Sequence, residues 1–137
     1  MDMNIDAKQT CADLLGLLDL FKRSLRELAE QEGLTHMQVA ALYVIDQTPE
    51  MGMSRIAEVL HCDASNVTGI VDRLVGQHLV MRQECEKDRR AKKLVVTEKG
   101  KAMIGRIMDA LPEKLGCDRL TSQERLALHT TVEKVAI

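Results

Sequence analysis

The stretch SRIAEVLHCDASNVTGIVDRLVGQHLVMRQECEKDRRAKKLVVT, residues 54–97, decides how this chain folds. Ser54 is placed to cap a short helix with Ile56, Ala57 and Leu60 inward, ending at His61 and Cys62. Asp63 caps the next helix. There Val67, Ile70, Val71 and Leu74 fall at i, i+3, i+4 and i+7, leaving Ser65, Asn66, Thr68, Gly69, Asp72 and Arg73 outward. Two short helices joined by a tight turn, the second exposing small polar groups at its N-terminal end, make a helix-turn-helix pattern. Gly76, Gln77 and His78 close the second helix. Leu79–Cys85 then reads as a strand, residues 86–91 as a charged turn and Lys92–Val96 as a returning strand. The tip Lys87-Asp88-Arg89-Arg90 has no apolar side chain to hold it on a core, so it projects as a wing.

On the N-terminal side, Cys11, Leu14, Leu18, Phe21, Leu25 and Leu28 recur at spacings of three and four, the seam of a long helix widened by Leu15 and Leu17. Gly33 ends it. Thr35 with Gln38 forms a capping box for a second helix running to about Asp46, and Leu34 with Val39 forms its hydrophobic staple. On the C-terminal side, Thr97 caps a helix from Glu98 to Leu111 with Met103, Ile104, Ile107, Met108 and Leu111 inward, before Pro112 weakens it. Thr121 to Glu124 is a second capping box, opening a last helix from Ser122 to about Val135 with Leu128, Val132 and Val135 on one side.

Composition agrees with a helical core. The chain has 137 residues, enough for one compact domain, and its aromatics are Phe21 and Tyr43 alone, so Leu, Val, Ile, Ala and eight Met must fill the interior. The fold class expected is mostly α with one small β-hairpin, in the order α-α-α-α-β-β-α-α. No apolar run approaches the roughly 20 residues of a membrane span, and Asp2 and Asp6 oppose a signal peptide, so a cytoplasmic location is expected. The four cysteines form no CxxC pair, and His36, His61, His78 and His129 are dispersed, so neither a disulfide framework nor a metal site is expected. A catalytic set is missing too: no Gly-rich phosphate loop, no nucleophile elbow and no paired carboxylates on an apolar stripe. Neither an enzyme nor a cofactor is expected.

The net charge is −2, but it is unevenly spread: residues 1–51 carry −5, residues 52–95 carry +2 and residues 96–137 carry +1. Residues 82–93 alone hold six basic and three acidic groups, a cationic segment inside an acidic chain.

The ordered set Leu34-Thr35, Ser54-Arg55-Ile56-Ala57, Asn66 to Leu74, Leu79-Val80, Asp88-Arg89-Arg90 and Val96-Thr97-Glu98-Lys99-Gly100 resembles the MarR (multiple antibiotic resistance regulator) family over nearly the whole chain. The resemblance implies a dimeric winged-helix transcription factor, mostly a repressor, that releases a pseudopalindromic double-stranded operator on binding a small molecule or on oxidation. It also implies that residues 1–33 and 98–137 form a helical dimerisation layer and residues 34–97 the DNA-binding region. Relatives often carry Gly at the position of Gln77 or His78; here Gly76 lies earlier, so a displaced helix end is expected.

Within that frame, Ser54, Ser65, Asn66, Thr68 and Arg73 offer hydroxyl, amide and guanidinium groups to bases or phosphates, and Gly69 allows close backbone approach. The first turn of that helix offers free N–H groups to a phosphate. Arg90 suits a narrow minor groove, Asp88 is expected from the family pattern to hold its fork, and Arg89, Lys92 and Lys93 would contact phosphates. Phe21, Met37, Tyr43, Met103 and Ile107 are candidates to line an effector pocket, with plain core as their competing reading. Cys11 lies where some family members place a peroxide-sensing thiol, which leaves a redox-sensing regulator as one alternative. A winged helix that binds protein instead of DNA is another.

Overall fold

The structure is a computed structural model that describes residues 4–48, 52–85 and 88–136, with the backbone alone described for Cys85 and for residues 88–92. Helix α1 (Ala7–Gln31) starts a turn before Cys11 because the Asp6 carboxylate accepts from the Gln9 N–H at 2.9 Å. It ends where Gly33 adopts φ 74° and turns the chain so that Leu34 N–H reaches the Ala29 carbonyl at 2.9 Å. Helix α2 (His36–Gln47) opens on the Thr35–Gln38 capping box, with Leu34 and Val39 both buried beside it. Helix α3 (Met53–Leu60) departs from expectation: its N-cap is Gly52, with no side-chain bond, and Ser54 lies exposed within its first turn. His61 at φ 53° makes the turn into α4 (Ala64–Gly76), which Asp63 caps as expected.

The hairpin pairs β1 (Val80–Cys85) antiparallel with β2 (Asp88–Val96). The first strand begins one residue late because Leu79 N–H still bonds back to the Leu74 carbonyl at 3.0 Å. The returning strand begins at Asp88, not Lys92, so the expected charged turn is shorter. The ladder continues past the Glu84–Lys92 pair through a register shift at Glu84/Cys85, after which Cys85 pairs with Asp88. Helix α5 (Glu98–Lys114) runs through Pro112. A proline so near the helix end removes one bond to the Met108 carbonyl, while the next, Leu115 N–H to Leu111, forms at 2.9 Å. A single 3-10 turn, Cys117–Arg119, which nothing in the periodicity announces, leads into α6 (Ser122–Val135).

The buried residues form one cluster: Leu25 and Leu28 of α1, Leu42 and Ile45 of α2, Ile56 of α3, Val71 and Leu74 of α4, Val80 and Val96 of the hairpin, and Ile107 and Leu111 of α5. The N-terminal half of α1 and all of α6 stand outside it. Leu14, Leu15, Leu17 and Leu18, and Leu126, Leu128, Val132 and Val135, are all exposed in the single chain.

Two ion pairs tie α5 to the end of α1. Arg106 donates to both oxygens of Glu32 at 2.9 and 3.0 Å, and Lys114 donates to Glu27 at 2.7 Å. These hydrogen bonds hold both carboxyls below the ordinary glutamate range. A carboxyl whose folded-state pKa is depressed contributes stability above that range and loses it as pH falls through the lowered value. The thermal midpoint should therefore fall as pH drops below about 4, and Arg106→Gln should flatten that fall. An identical acid limb in thermal melts of this variant would remove the Arg106–Glu32 pair as a contributor.

Candidate nucleic-acid interface

One face of α4 is polar and exposed along its length: Ser65, Asn66, Thr68, Gly69, Asp72 and Arg73 all lie at the surface, while Val67, Val71 and Leu74 are buried behind them. Burial of that apolar stripe fixes which side chains α4 offers outward. Ser65 Oγ donates to Asp63 at 3.1 Å and Thr68 Oγ1 to the Ala64 carbonyl at 2.9 Å, so both hydroxyls are held in place while their oxygens remain acceptors. The N-terminal end of α4 is less open to an anion than its sequence suggests. Asp63 takes the Asn66 N–H at 3.0 Å and sets a carboxylate there. Ser54 is exposed on α3, where Arg55 pairs with Glu58 at 2.7 Å.

The hairpin stands beside this face. Asp88, Arg89, Arg90 and Lys92 lie on β2 by their backbone, and their side chains lie outside the described residues. At the hairpin root the Arg82 guanidinium pairs with Asp72 of α4. Sequence reading missed this bond, and the signal available was an acidic residue on a face otherwise suited to a polyanion.

A second feature invisible in sequence joins α5 to the end of α4. Thr97 Oγ1 donates to the His78 carbonyl at 2.6 Å, Lys99 Nζ to the Gln77 carbonyl at 3.0 Å, and Thr97 N–H to the Leu79 carbonyl at 3.0 Å. The same Thr97 oxygen accepts from Gly100 N–H at 3.1 Å, which caps α5.

Between α1, α2 and α5 lies a cavity of about 390 Å³ lined by Phe21, Leu25, Val39, Ala40, Tyr43, Val44, Met108 and Leu111. No lining residue carries a charge. Of the five effector-pocket candidates, Phe21 and Tyr43 are in this lining; Met103 and Ile107 are in the core, and Met37 is half-buried outside it. Cys11 is exposed on α1, and no cluster of three metal-ligating side chains occurs among the described residues.

Residues 34–92, which span α2 to the hairpin, match the profile of the MarR family. The chain is similar to that family over this segment. It is 29% identical over 121 residues to the HTH-type transcriptional regulator TtmR of Methylorubrum extorquens (strain PA1), covering 88% of this chain and 62% of that protein. The chain thus spans less than two thirds of that relative's length. Its fold is shared with apo wild-type MarR from E. coli, at TM-score 0.76 and 22% identity over 98% of each chain. It is shared also with the MarR family regulator Sco3205 of Streptomyces coelicolor, solved in complex with DNA, at TM-score 0.72 and 21% identity over 99% of this chain and 90% of that one.

Helix α4 ends at Gly76, with Gln77 as its C-cap. Two residues on, His78 takes the left-handed conformation at φ 62°, a region that glycine enters most readily. The Val-Thr-x-x-Gly stretch, Val96 to Gly100, is the joint between α5 and the α4–β1 turn. No helix of the described residues is long and apolar enough to cross a membrane.

Proposed function

We propose that this chain is a cytoplasmic transcriptional regulator that binds a pseudopalindromic double-stranded operator as a homodimer, and a repressor released by a small molecule. The observation that carries the reading is the exposed polar face of α4 beside a basic hairpin, in a fold that Sco3205 presents in complex with DNA. Helix α4 is of a size to enter the major groove, with Asn66, Thr68 and Arg73 toward base edges and phosphates. The hairpin, with Asp88, Arg89, Arg90 and Lys92, reaches the adjacent minor groove and backbone. Residues 34–97 are then the DNA-binding region, and residues 1–33 with 98–137 the dimerisation layer, whose exposed leucines and valines on α1 and α6 a second copy covers.

The charge-free cavity supports the effector part. Its lining offers apolar contact to a small molecule, with Phe21 and Tyr43 as the aromatic surfaces it would meet.

Selection from a randomised duplex library, followed by titration of the selected duplex at several salt concentrations, tests the DNA reading. Arg90→Ala should weaken binding by about 1 to 3 kcal/mol and reduce the log–log salt slope by about one unit, whereas Thr68→Ala should leave that slope intact. Thr68→Ala should instead relax discrimination at one symmetric pair of base positions. Equal salt slopes for the two variants would remove the hairpin arginine from the backbone contact. A wild-type chain that selects no duplex would favour the protein-binding alternative.

A further inference from the structure

Asp72 occupies an unexpected place. It follows Thr68 by four residues and Gly69 by three, so its carboxylate stands on the same face of α4 as the groups proposed to meet DNA. A bare carboxylate there would repel phosphates. Instead it is bound by Arg82, which lies on β1 two residues beyond buried Val80 and opposite buried Leu94.

That position matters for the hairpin. Val80, Leu94 and Val96 anchor its root in the core, but Met81, Arg82, Gln83 and Glu84 are exposed, and a two-stranded ribbon has little rigidity of its own. Arg82 carries the anchorage two residues, roughly 7 Å, further along the strand. It makes that contact to the helix that would read the major groove, not to the core.

We infer that the Asp72–Arg82 pair is a positioning device, which fixes the hairpin relative to α4 so that helix and hairpin meet adjacent grooves of one duplex at a set separation. The proposal rests on the DNA-binding reading. The pair neutralises the one acidic residue within α4 itself and converts it into a strut. Neither residue reads a base. Because both side chains are partly exposed, the pair adds little to global stability, so variants fold.

The test measures binding of the duplex selected by the wild type, for Asp72→Asn, for Arg82→Gln and for the charge swap Asp72→Arg with Arg82→Asp. Asp72→Asn should bind about tenfold more weakly although it removes a negative charge, and should lose preference for A·T-rich flanks while keeping the central base preferences. Arg82→Gln should behave alike, the swap should regain most of the affinity, and the thermal midpoints should stay within a few degrees of the wild type. Unchanged or tighter binding by Asp72→Asn would overturn the proposal, because Arg82 would then be a phosphate ligand that Asp72 restrains. Loss of discrimination at a central base pair would overturn it too, because Asp72 would then read a cytosine amine directly. A wild type that binds no duplex refutes the DNA reading itself, which the Asp72→Asn result alone does not.

Discussion

Gly100→Ala is expected to destabilise the fold by about 3 kcal/mol or more and to lower the thermal midpoint by about 10 °C. A Cβ at this buried position would fall well inside van der Waals contact distance of the Leu79 carbonyl oxygen and 2.7 Å from Val96 Cγ1. Neither neighbour is a flexible side-chain end. The Leu79 carbonyl already accepts the Thr97 N–H, and the surrounding turn is held by Thr97 and Lys99. The first turn of α5 must therefore separate from the α4–β1 turn, which shifts the root of the hairpin. Gly76→Ala is the control, since nothing lies within 4 Å of its added Cβ, and it should stabilise by roughly 0.5 to 1 kcal/mol. Equal thermal midpoints for the two variants would show that the α5 joint yields without cost.

Leu18→Asp combined with Val132→Asp should convert the protein to a monomer and cost about 100-fold or more in operator affinity. Leu18 is 49% exposed and Val132 53% exposed in the single chain, and each belongs to an apolar stripe that the chain's own core does not cover. A carboxylate on a face buried by a second copy would be desolvated without a partner. A single winged helix would then meet one half-site alone and lose the gain from linked binding. Sedimentation should show twice the 15.3 kDa chain mass for the wild type and once that mass for the variant. A wild type that is monomeric and well folded at micromolar concentration would refute the dimer, and with it the assignment of α1 and α6 to an interface.

Much of this architecture follows from local chemistry that sequence displays directly. The Thr35–Gln38 and Thr121–Glu124 capping boxes, the Asp63 cap and the 3.6-residue stripe of α4 depend on neighbours within four positions, and all are present in the structure. The cap of α3 did not follow the same reading. Ser54 is a good capping residue, but the chain enters that helix from Gly52, where the extended conformation falls and no side chain is needed. Pro112 likewise reads as a stop, yet near the end of a helix packed through Ile107 and Leu111 it removes too little to break it. The outward-facing residues of α4 were legible because an outward position is the complement of a buried stripe.

By itself, then, the sequence determined the order of helices and hairpin, the face that α4 turns to solvent, the basic segment and the family resemblance, because caps, periodicity and charge act over a few residues. Only the tertiary structure decided that Asp72 meets Arg82, that Thr97, Lys99 and Gly100 lock α5 to the end of α4, and that Phe21 and Tyr43 line a cavity while Met103 and Ile107 fill the core. Those outcomes depend on where separate elements come to lie when their apolar faces are buried together. An ion pair across ten residues or a close approach of one helix to another's carbonyl is a property of that packing, which no local window of sequence contains.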